Sequence, residues 1–103
     1  MFLKLGADRV LRLEDRDNFR AFKLVVVGRR EGLAEVRRVL NGAIELTDAD
    51  TAWVSEQALR RWPEVASDTT WQQSFSAMIE KAKPHGWIDE QRKAIKAHVE
   101  WAD

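Results

Sequence analysis

The hydrophobic pattern is clearest in the first half of the chain, where a dense apolar run precedes a segment with helical spacing. Residues 20–27 predict a strand, and apolar side chains on both of its faces indicate a central position in a sheet. Residues 31–41 predict an amphipathic helix, and Gly42 suits its left-handed C-terminal cap. A right-handed crossover through this helix would place residues 20–27 beside residues 43–46, or one strand away from them.

The last part of the chain alternates between apolar and polar side chains. Residues 95–101 therefore predict a strand with one buried face and one solvent-facing face. The alternative is a helix that begins at Asp89, because the residues that follow have good helix propensity. The alternation favours the strand, and Trp87 and Ile88 would then pair back onto it as a short second strand.

The middle of the chain predicts a hairpin and two helices. Residues 43–46 and 51–54 are short β-type runs on either side of a turn cluster, and one helix over residues 50–62 is the alternative. The most regular helical periodicity covers residues 70–83, which Pro84 ends. The complete predicted order is β(2–5), β(9–13), β(20–27), α(31–41), β(43–46), β(51–54), α(56–62), α(70–83), β(95–101).

These elements define the fold class that we expect. A chain of 103 residues without a linker, repeat or low-complexity stretch fits a single domain spanning residues 1–103. The mixture of hairpins and separate helices predicts an α+β fold. Its sheet would be mostly antiparallel, with two main helices, 31–41 and 70–83, packed on it.

Composition excludes several functional classes. The sequence contains no cysteine, so disulfides, thiolate metal sites, iron–sulfur clusters and cysteine nucleophiles are excluded. No apolar run approaches the roughly 18 residues of a membrane span, and the first residues do not resemble a signal peptide. We therefore expect a cytoplasmic protein without membrane association.

The charged side chains bear on the choice of partner. The 17 basic and 17 acidic residues balance, which argues against electrostatic binding to nucleic acid or to an anionic membrane. The distribution is uneven, because residues 1–42 carry 10 basic and 6 acidic side chains and the remainder carries 7 and 11. This asymmetry either disappears when the chain folds or favours self-association through a dipolar surface.

The segment between the predicted central strand and the first helix is a candidate anion site. It holds Arg29 and Arg30 between two glycines, in the position where phosphate loops occur. Free amides at a helix start and guanidinium groups both bind anions. The spacing matches neither the dinucleotide nor the P-loop fingerprint, and Glu31 would repel an anion. A plain strand-to-helix turn with solvated arginines is the alternative.

His98 and Glu100 form a second candidate ligand site, since residues two apart on the predicted last strand share a face. An imidazole beside a carboxylate can bind a ligand, act as an acid–base pair or contribute to a metal site. A metal site needs more ligands, and the other histidine, His85, lies in a Pro-His-Gly turn. Asp48 and Asp50 do not complete a calcium loop. We therefore predict no metal, no cofactor and no catalytic residue, and a solvated face with paired charges is the alternative for His98 and Glu100.

Five tryptophans are unusual for a chain of this length. Two of them lie on core-facing stripes, which leaves Trp53, Trp62 and Trp87 as candidates for an interface or a pocket. Our leading expectation is a non-enzymatic protein that acts by binding, as a homodimer or with a protein partner, through surplus tryptophans and exposed sheet edges. The alternative is a small-ligand binding protein or minor enzyme, with an anionic or apolar ligand near Arg29 and Arg30 or near His98 and Glu100.

Overall fold

A computed structural model describes residues 1–102 and shows seven strands in one sheet together with three α-helices. The strands are β1 (Phe2–Leu5), β2 (Leu11–Glu14), β3 (Lys23–Val27), β4 (Ile44–Leu46), β5 (Thr51–Ser55), β6 (Ile88–Asp89) and β7 (Ala94–Ala102). The helices are α1 (Leu33–Leu40), α2 (Glu56–Arg60) and α3 (Thr69–Ala82), and short 3-10 helices cover Arg30–Gly32 and Lys83–His85. The α+β class is confirmed.

The sheet is mixed, so the prediction of a mostly antiparallel sheet is wrong. The strand order is β2-β1-β3-β7-β5-β4, and β6 pairs with β7 beyond this path. The central strand β3 is parallel to both of its neighbours, β1 and β7. The C-terminal strand β7 inserts between β3 and β5, and this long-range pairing leaves no local trace in the sequence. Two strands, β7 and β5, lie between β3 and β4. The prediction that residues 20–27 lie beside residues 43–46, or one strand away from them, is therefore wrong as well.

One face of the sheet carries the core. Along each strand, the side chains that point to this face are buried. The side chains that point to the opposite face are charged or half-buried. The buried side chains of all three helices join the same cluster, which places α1, α2 and α3 over one face of the sheet. The largest fully buried side chains are Phe75, Met1, Leu3, Leu5, Leu24, Leu59, Val26, Val36, Val54, Val65 and Val99.

Three α-helices pack on the sheet, because the short helix predicted over residues 56–62 joins the two main helices there as α2. The helix α2 has only one turn, begins at the Ser55 cap and is fixed to α3 through Arg60. The guanidinium of Arg60 binds the side-chain oxygens of Gln72 and Ser76, each at 2.9 Å. Asp68 caps the start of α3 by accepting a hydrogen bond from the amide of Trp71 at 3.0 Å.

Both elements with competing sequence interpretations are strands. β4 and β5 form the predicted antiparallel hairpin, so the helix over residues 50–62 is wrong. β7 extends over nine residues, so a helix from Asp89 is also wrong, and β6 is the short strand that pairs back onto β7. No helix within residues 1–102 combines the length and the apolar character needed to cross a bilayer.

Candidate functional site

A gap in the sheet lies beside a groove that is the larger of the two described here. On one side β7 pairs with β5 from Ala94 to His98. On its other side β7 pairs with β6 at Ala94 and Ile95, and with β3 only from His98 onward. On that side of β7, Lys96 and Ala97 therefore have no paired strand, because β6 ends before them and β3 begins after them. The end of α3 lies beside this opening.

We call this groove the Trp87 groove. Its volume is about 740 Å³, which lies within the range of about 300–1,000 Å³ that is typical of small-molecule sites. The segment before β3, the last turn of α3, the turn before β6 and the gap in β7 line it. The lining residues are Phe19, Arg20, Ala21, Phe22, Asp50, Thr51, Met78, Lys81, Ala82, His85, Trp87, Ile95, Lys96, Ala97 and His98.

The turn after α3 positions the aromatic part of the groove. The 3-10 helix over Lys83–His85 ends at Gly86, which adopts a left-handed conformation (φ 75°) that glycine reaches without strain. The chain then returns so that the rings of His85 and Trp87 stack, with centroids 4.3 Å apart and planes at 18°. The carbonyl of Trp87 accepts a hydrogen bond from the amide of Lys96 at 2.8 Å, which fixes this turn to β7.

The indole of Trp87 is unusually exposed for its type. Trp87 retains 48% of its accessible surface. Phe19 and Phe22 are half-buried on the opposite wall, and Met78 of α3 is half-buried beside them. The groove therefore offers apolar and aromatic surface that the fold itself does not cover.

The charged groups of the groove are mostly cationic. Arg20, Lys81 and Lys96 are exposed, and none of them forms an ion pair with another residue in the range 1–102. The single carboxylate in the lining, Asp50, is already engaged by Arg30 through two hydrogen bonds of 2.7 and 2.9 Å. The groove therefore has an excess of positive charge without an internal counterion.

The turn between β4 and β5 holds Asp50 in place. The side chain of Asp48 accepts hydrogen bonds from the amides of Asp50 and Thr51, at 2.8 and 2.9 Å. The Arg30 hydrogen bonds are the main reason why the pKa of Asp50 is lowered, and the positive charge of nearby His98 lowers the pKa further. Asp50 thus stays ionised, and its ion pair holds the guanidinium of Arg30 at the edge of the groove.

The structure separates the four polar residues predicted as ligand-binding. His98 lines the Trp87 groove, and Arg30 reaches its end through Asp50. Glu100 lies on the open face of the sheet and pairs with Lys23 at 3.1 Å, as the paired-charge alternative described. Arg29 is exposed before the first 3-10 helix and lines neither groove described here. Arg29, Arg30, His98 and Glu100 therefore do not converge on one site.

The three candidate tryptophans also lie in different environments. Trp87 lines the groove named after it, and Trp62 is half-buried against the core. Trp53 lines a second groove of about 530 Å³ beside β4, which we call the Trp53 groove. The residues around it include Arg37, Asn41, Glu45, Ser55 and Arg92.

Sequence reasoning missed most of the Trp87 groove. The sequence places His85 and Asp50 in turns. His85 instead ends a 3-10 helix and Asp50 lies between β4 and β5, and both residues line the same groove. Met78, Lys81, Ala82 and His85 follow helical spacing, so a stripe on one side of α3 and its extension was the available signal. The opposite wall contributes Phe19, which no periodicity connects to α3.

Comparisons with protein-family profiles, with curated proteins and with solved structures find no match for this chain. Within residues 1–102 no group of three or more His, Cys, Asp or Glu side chains is arranged to hold a metal ion. The function must therefore be inferred from the chemistry of the grooves.

Proposed function

We propose that the protein binds a small organic anion with an aromatic or other flat apolar body in the Trp87 groove. The observation that carries this proposal is the convergence of stacked, exposed aromatic surface with three cations that have no ion-pair partner within residues 1–102. An apolar ring would cover Trp87 and the phenylalanines, and its acidic group would be attracted to Arg20, Lys81 and Lys96.

The charge balance of the lining supports an anion over a neutral or cationic ligand. Asp50 is the one carboxylate of the groove, and Arg30 already neutralises it. Exposed cations in water gain little from a distant anion, but the attraction increases when a ligand displaces water from the groove. Binding of a small ligand is the core of the proposal, which therefore follows the alternative expectation of a small-ligand binding protein and not the leading expectation of a homodimer.

The test uses 2-naphthoate as the anionic probe and 2-naphthalenemethanol as a neutral probe with the same ring. We expect 2-naphthoate to perturb the indole resonance of Trp87 in NMR titrations, with an affinity several-fold above that of the alcohol. Trp87→Ala should weaken 2-naphthoate binding about threefold to tenfold, because one aromatic contact is lost.

The matched charge variants are Lys81→Gln, in the groove, and Lys4→Gln, an exposed strand residue outside it. Lys81→Gln should weaken binding of 2-naphthoate without weakening binding of the alcohol, whereas Lys4→Gln should change neither. Equal affinity for both probes would overturn the anionic part of the proposal. Absence of any perturbation at Trp87 at millimolar probe would overturn the site itself.

We also propose that the protein acts in the cytoplasm without a bound cofactor. The absence of cysteine is compatible with a reducing compartment. Fractionation of cells that express the tagged full chain would test this location, and recovery of the protein in the membrane or secreted fraction would contradict it.

A further inference from the structure

The two ends of the sheet differ in how their free edges are protected. At one end the guanidinium of Arg37 covers β4 by donating to the carbonyls of Leu46 and Thr47, each at 3.0 Å. At the other end β2 is the last strand. Within residues 1–102 no side chain and no other segment makes a hydrogen bond to the backbone of Leu11 or Leu13 outside the pairing with β1.

The turn before β2 decides which backbone groups reach this free edge. The amide of Gly6 donates to the carbonyl of Val10 at 3.1 Å, and the amide of Arg9 donates to the carbonyl of Gly6 at 2.9 Å. Arg9 adopts a left-handed conformation (φ 64°), so the hairpin contains a bulge of the type that commonly has glycine there. Hydrogen-bonded and non-bonded pairs then alternate along the hairpin. The backbone of Arg12 points to β1, and that of Leu13 points outward.

Symmetry restricts how a second copy could pair with this edge. An antiparallel pair of identical edges requires a two-fold axis perpendicular to the sheet, and directly opposed residues then share a face. Side chains alternate between the two faces, so two opposed residues that share a face are an even number of positions apart in the sequence. The axis must therefore lie at one residue of β2 and not between two residues. An axis at Arg12 would oppose two arginines on the open face, which is unfavourable. An axis at Leu13 instead places Arg12 of each copy opposite Glu14 of the other copy, which gives two attractive pairs.

We propose that two copies of this chain associate edge to edge through β2, antiparallel, about a two-fold axis at Leu13. The two Leu13 residues would exchange their outward hydrogen bonds, and the helices of both copies would lie on the same side of one continuous sheet. Glu14 supports this register because it has no ion pair within residues 1–102, whereas Arg12 binds Asp8 at 2.8 Å and remains half-exposed.

This dimer is independent of the Trp87 groove, since none of the groove-lining residues lies on β1 or β2. The edge involves one four-residue strand from each copy. Such a small contact predicts weak, concentration-dependent association.

The test combines charge reversal with mixing of variants, followed by sedimentation equilibrium at increasing concentration. Arg12→Glu and Glu14→Lys should each weaken association about tenfold, because two attractive contacts become repulsive. A mixture of the two variants should associate again, since the opposed charges are then complementary. Glu31→Lys, an equal charge change at an exposed position outside β2, should leave association unchanged.

Two further readouts keep the test independent of folding defects. Urea unfolding of each variant should show a folded protein, and the amide of Leu13 should exchange with solvent more slowly as the protein concentration rises. The exchange rate of the Arg12 amide should not depend on protein concentration, because this amide already points to β1. A wild-type chain that remains monomeric at millimolar concentration would overturn the proposal. Association without recovery in the mixture would overturn the Leu13 register.

Discussion

The Trp87 groove and the Trp53 groove each combine a tryptophan with cationic side chains, and they differ in what the cations already bind. In the Trp53 groove, the guanidinium of Arg92 lies 5.7 Å from the ring centroid of Trp53 and binds Asp89 at 2.7 Å as well as Glu45. Arg37 in the same groove is engaged by two backbone carbonyls. In the Trp87 groove, by contrast, Arg20, Lys81 and Lys96 have no ion-pair partner within residues 1–102.

This difference shows that an aromatic residue beside a cation is not sufficient to indicate a binding site. When carboxylates and carbonyls of the chain satisfy the cation, the pair stabilises the fold and offers little to a ligand. When no internal partner exists, the hydrogen-bonding capacity and the charge remain available. We therefore expect substitutions in the Trp53 groove to alter stability, and substitutions in the Trp87 groove to alter binding.

The largest expected effect is on stability, at Arg37. Arg37→Ala removes two hydrogen bonds to the outer edge of the hairpin and should lower the free energy of unfolding by about 1–2 kcal/mol. Arg38→Ala is the matched control, since the neighbouring Arg38 makes no side-chain hydrogen bond within residues 1–102. Urea unfolding of both variants provides the measurement. Equal destabilisation by the two substitutions would contradict the assigned role of Arg37.

A smaller difference is expected between the two tryptophans. Trp53 is half-buried and covered by Arg92, so Trp53→Ala should lower the free energy of unfolding by about 1–1.5 kcal/mol. Trp87 is 48% exposed, and Trp87→Ala should cost less than about 1 kcal/mol. Thermal or urea unfolding would compare the two variants. If Trp87→Ala destabilised the protein more than Trp53→Ala, Trp87 would be a structural residue and the binding proposal would lose its main support.

The sequence predicts the elements well and their arrangement poorly, for a physical reason. Local periodicity identifies β3, β7 and α3 to within a few residues, because each buries one face against the same core. The order of the strands depends on β7 entering between β3 and β5, and no local pattern encodes that contact. The mixed character of the sheet comes from the parallel pairing of β3 with both β1 and β7, and no local pattern predicts these two pairings.

The candidate site is even less accessible to sequence reasoning. The sequence indicates His98 by its position on a strand and Trp87 by the excess of tryptophan, but no pattern in the sequence connects the two residues. The groove exists because β6 and β3 leave two residues of β7 without a neighbouring strand on one side. Lys81 and Arg20 appear in the sequence as ordinary solvated cations. Their significance comes only from the missing ion-pair partners, which requires the folded structure.

A direct way to test the comparison is to release the cation of the Trp53 groove. The double variant Glu45→Gln and Asp89→Asn removes both negative partners of Arg92 and keeps the shapes of the side chains. We expect 2-naphthoate to perturb the Trp53 indole in this variant, with weak millimolar binding, because Arg92 then has no counterion. The wild-type protein should show no such perturbation. If 2-naphthoate did not perturb the Trp53 indole of the double variant either, an unpaired cation beside an aromatic ring would not be sufficient to create a binding site.

The smallest effect concerns the carboxylates that bind arginines at the two grooves. The pKa of Asp50 is lowered mainly by Arg30, and that of Asp89 is lowered mainly by Arg92, in both cases from an ordinary value of 3.8. Arg30→Gln should therefore raise the pKa of Asp50 without changing that of Asp89, and Arg92→Gln should do the reverse. Carboxyl ¹³C shifts followed by NMR from pH 6 downward would measure both.

The sign of the pH dependence follows from these lowered pKa values. A carboxylate with a lower pKa in the folded state contributes stability above its unfolded value of 3.8, and this contribution is lost as the pH falls through the folded value. The wild-type protein should therefore lose stability below about pH 4 more steeply than either glutamine variant. Only the Asp50 titration should change when 2-naphthoate is added, because Asp50 lines the Trp87 groove and Asp89 lines neither groove. A ligand-induced change in the titration of Asp89 would instead show that 2-naphthoate binds near Arg92 in the Trp53 groove, which would contradict the proposed site.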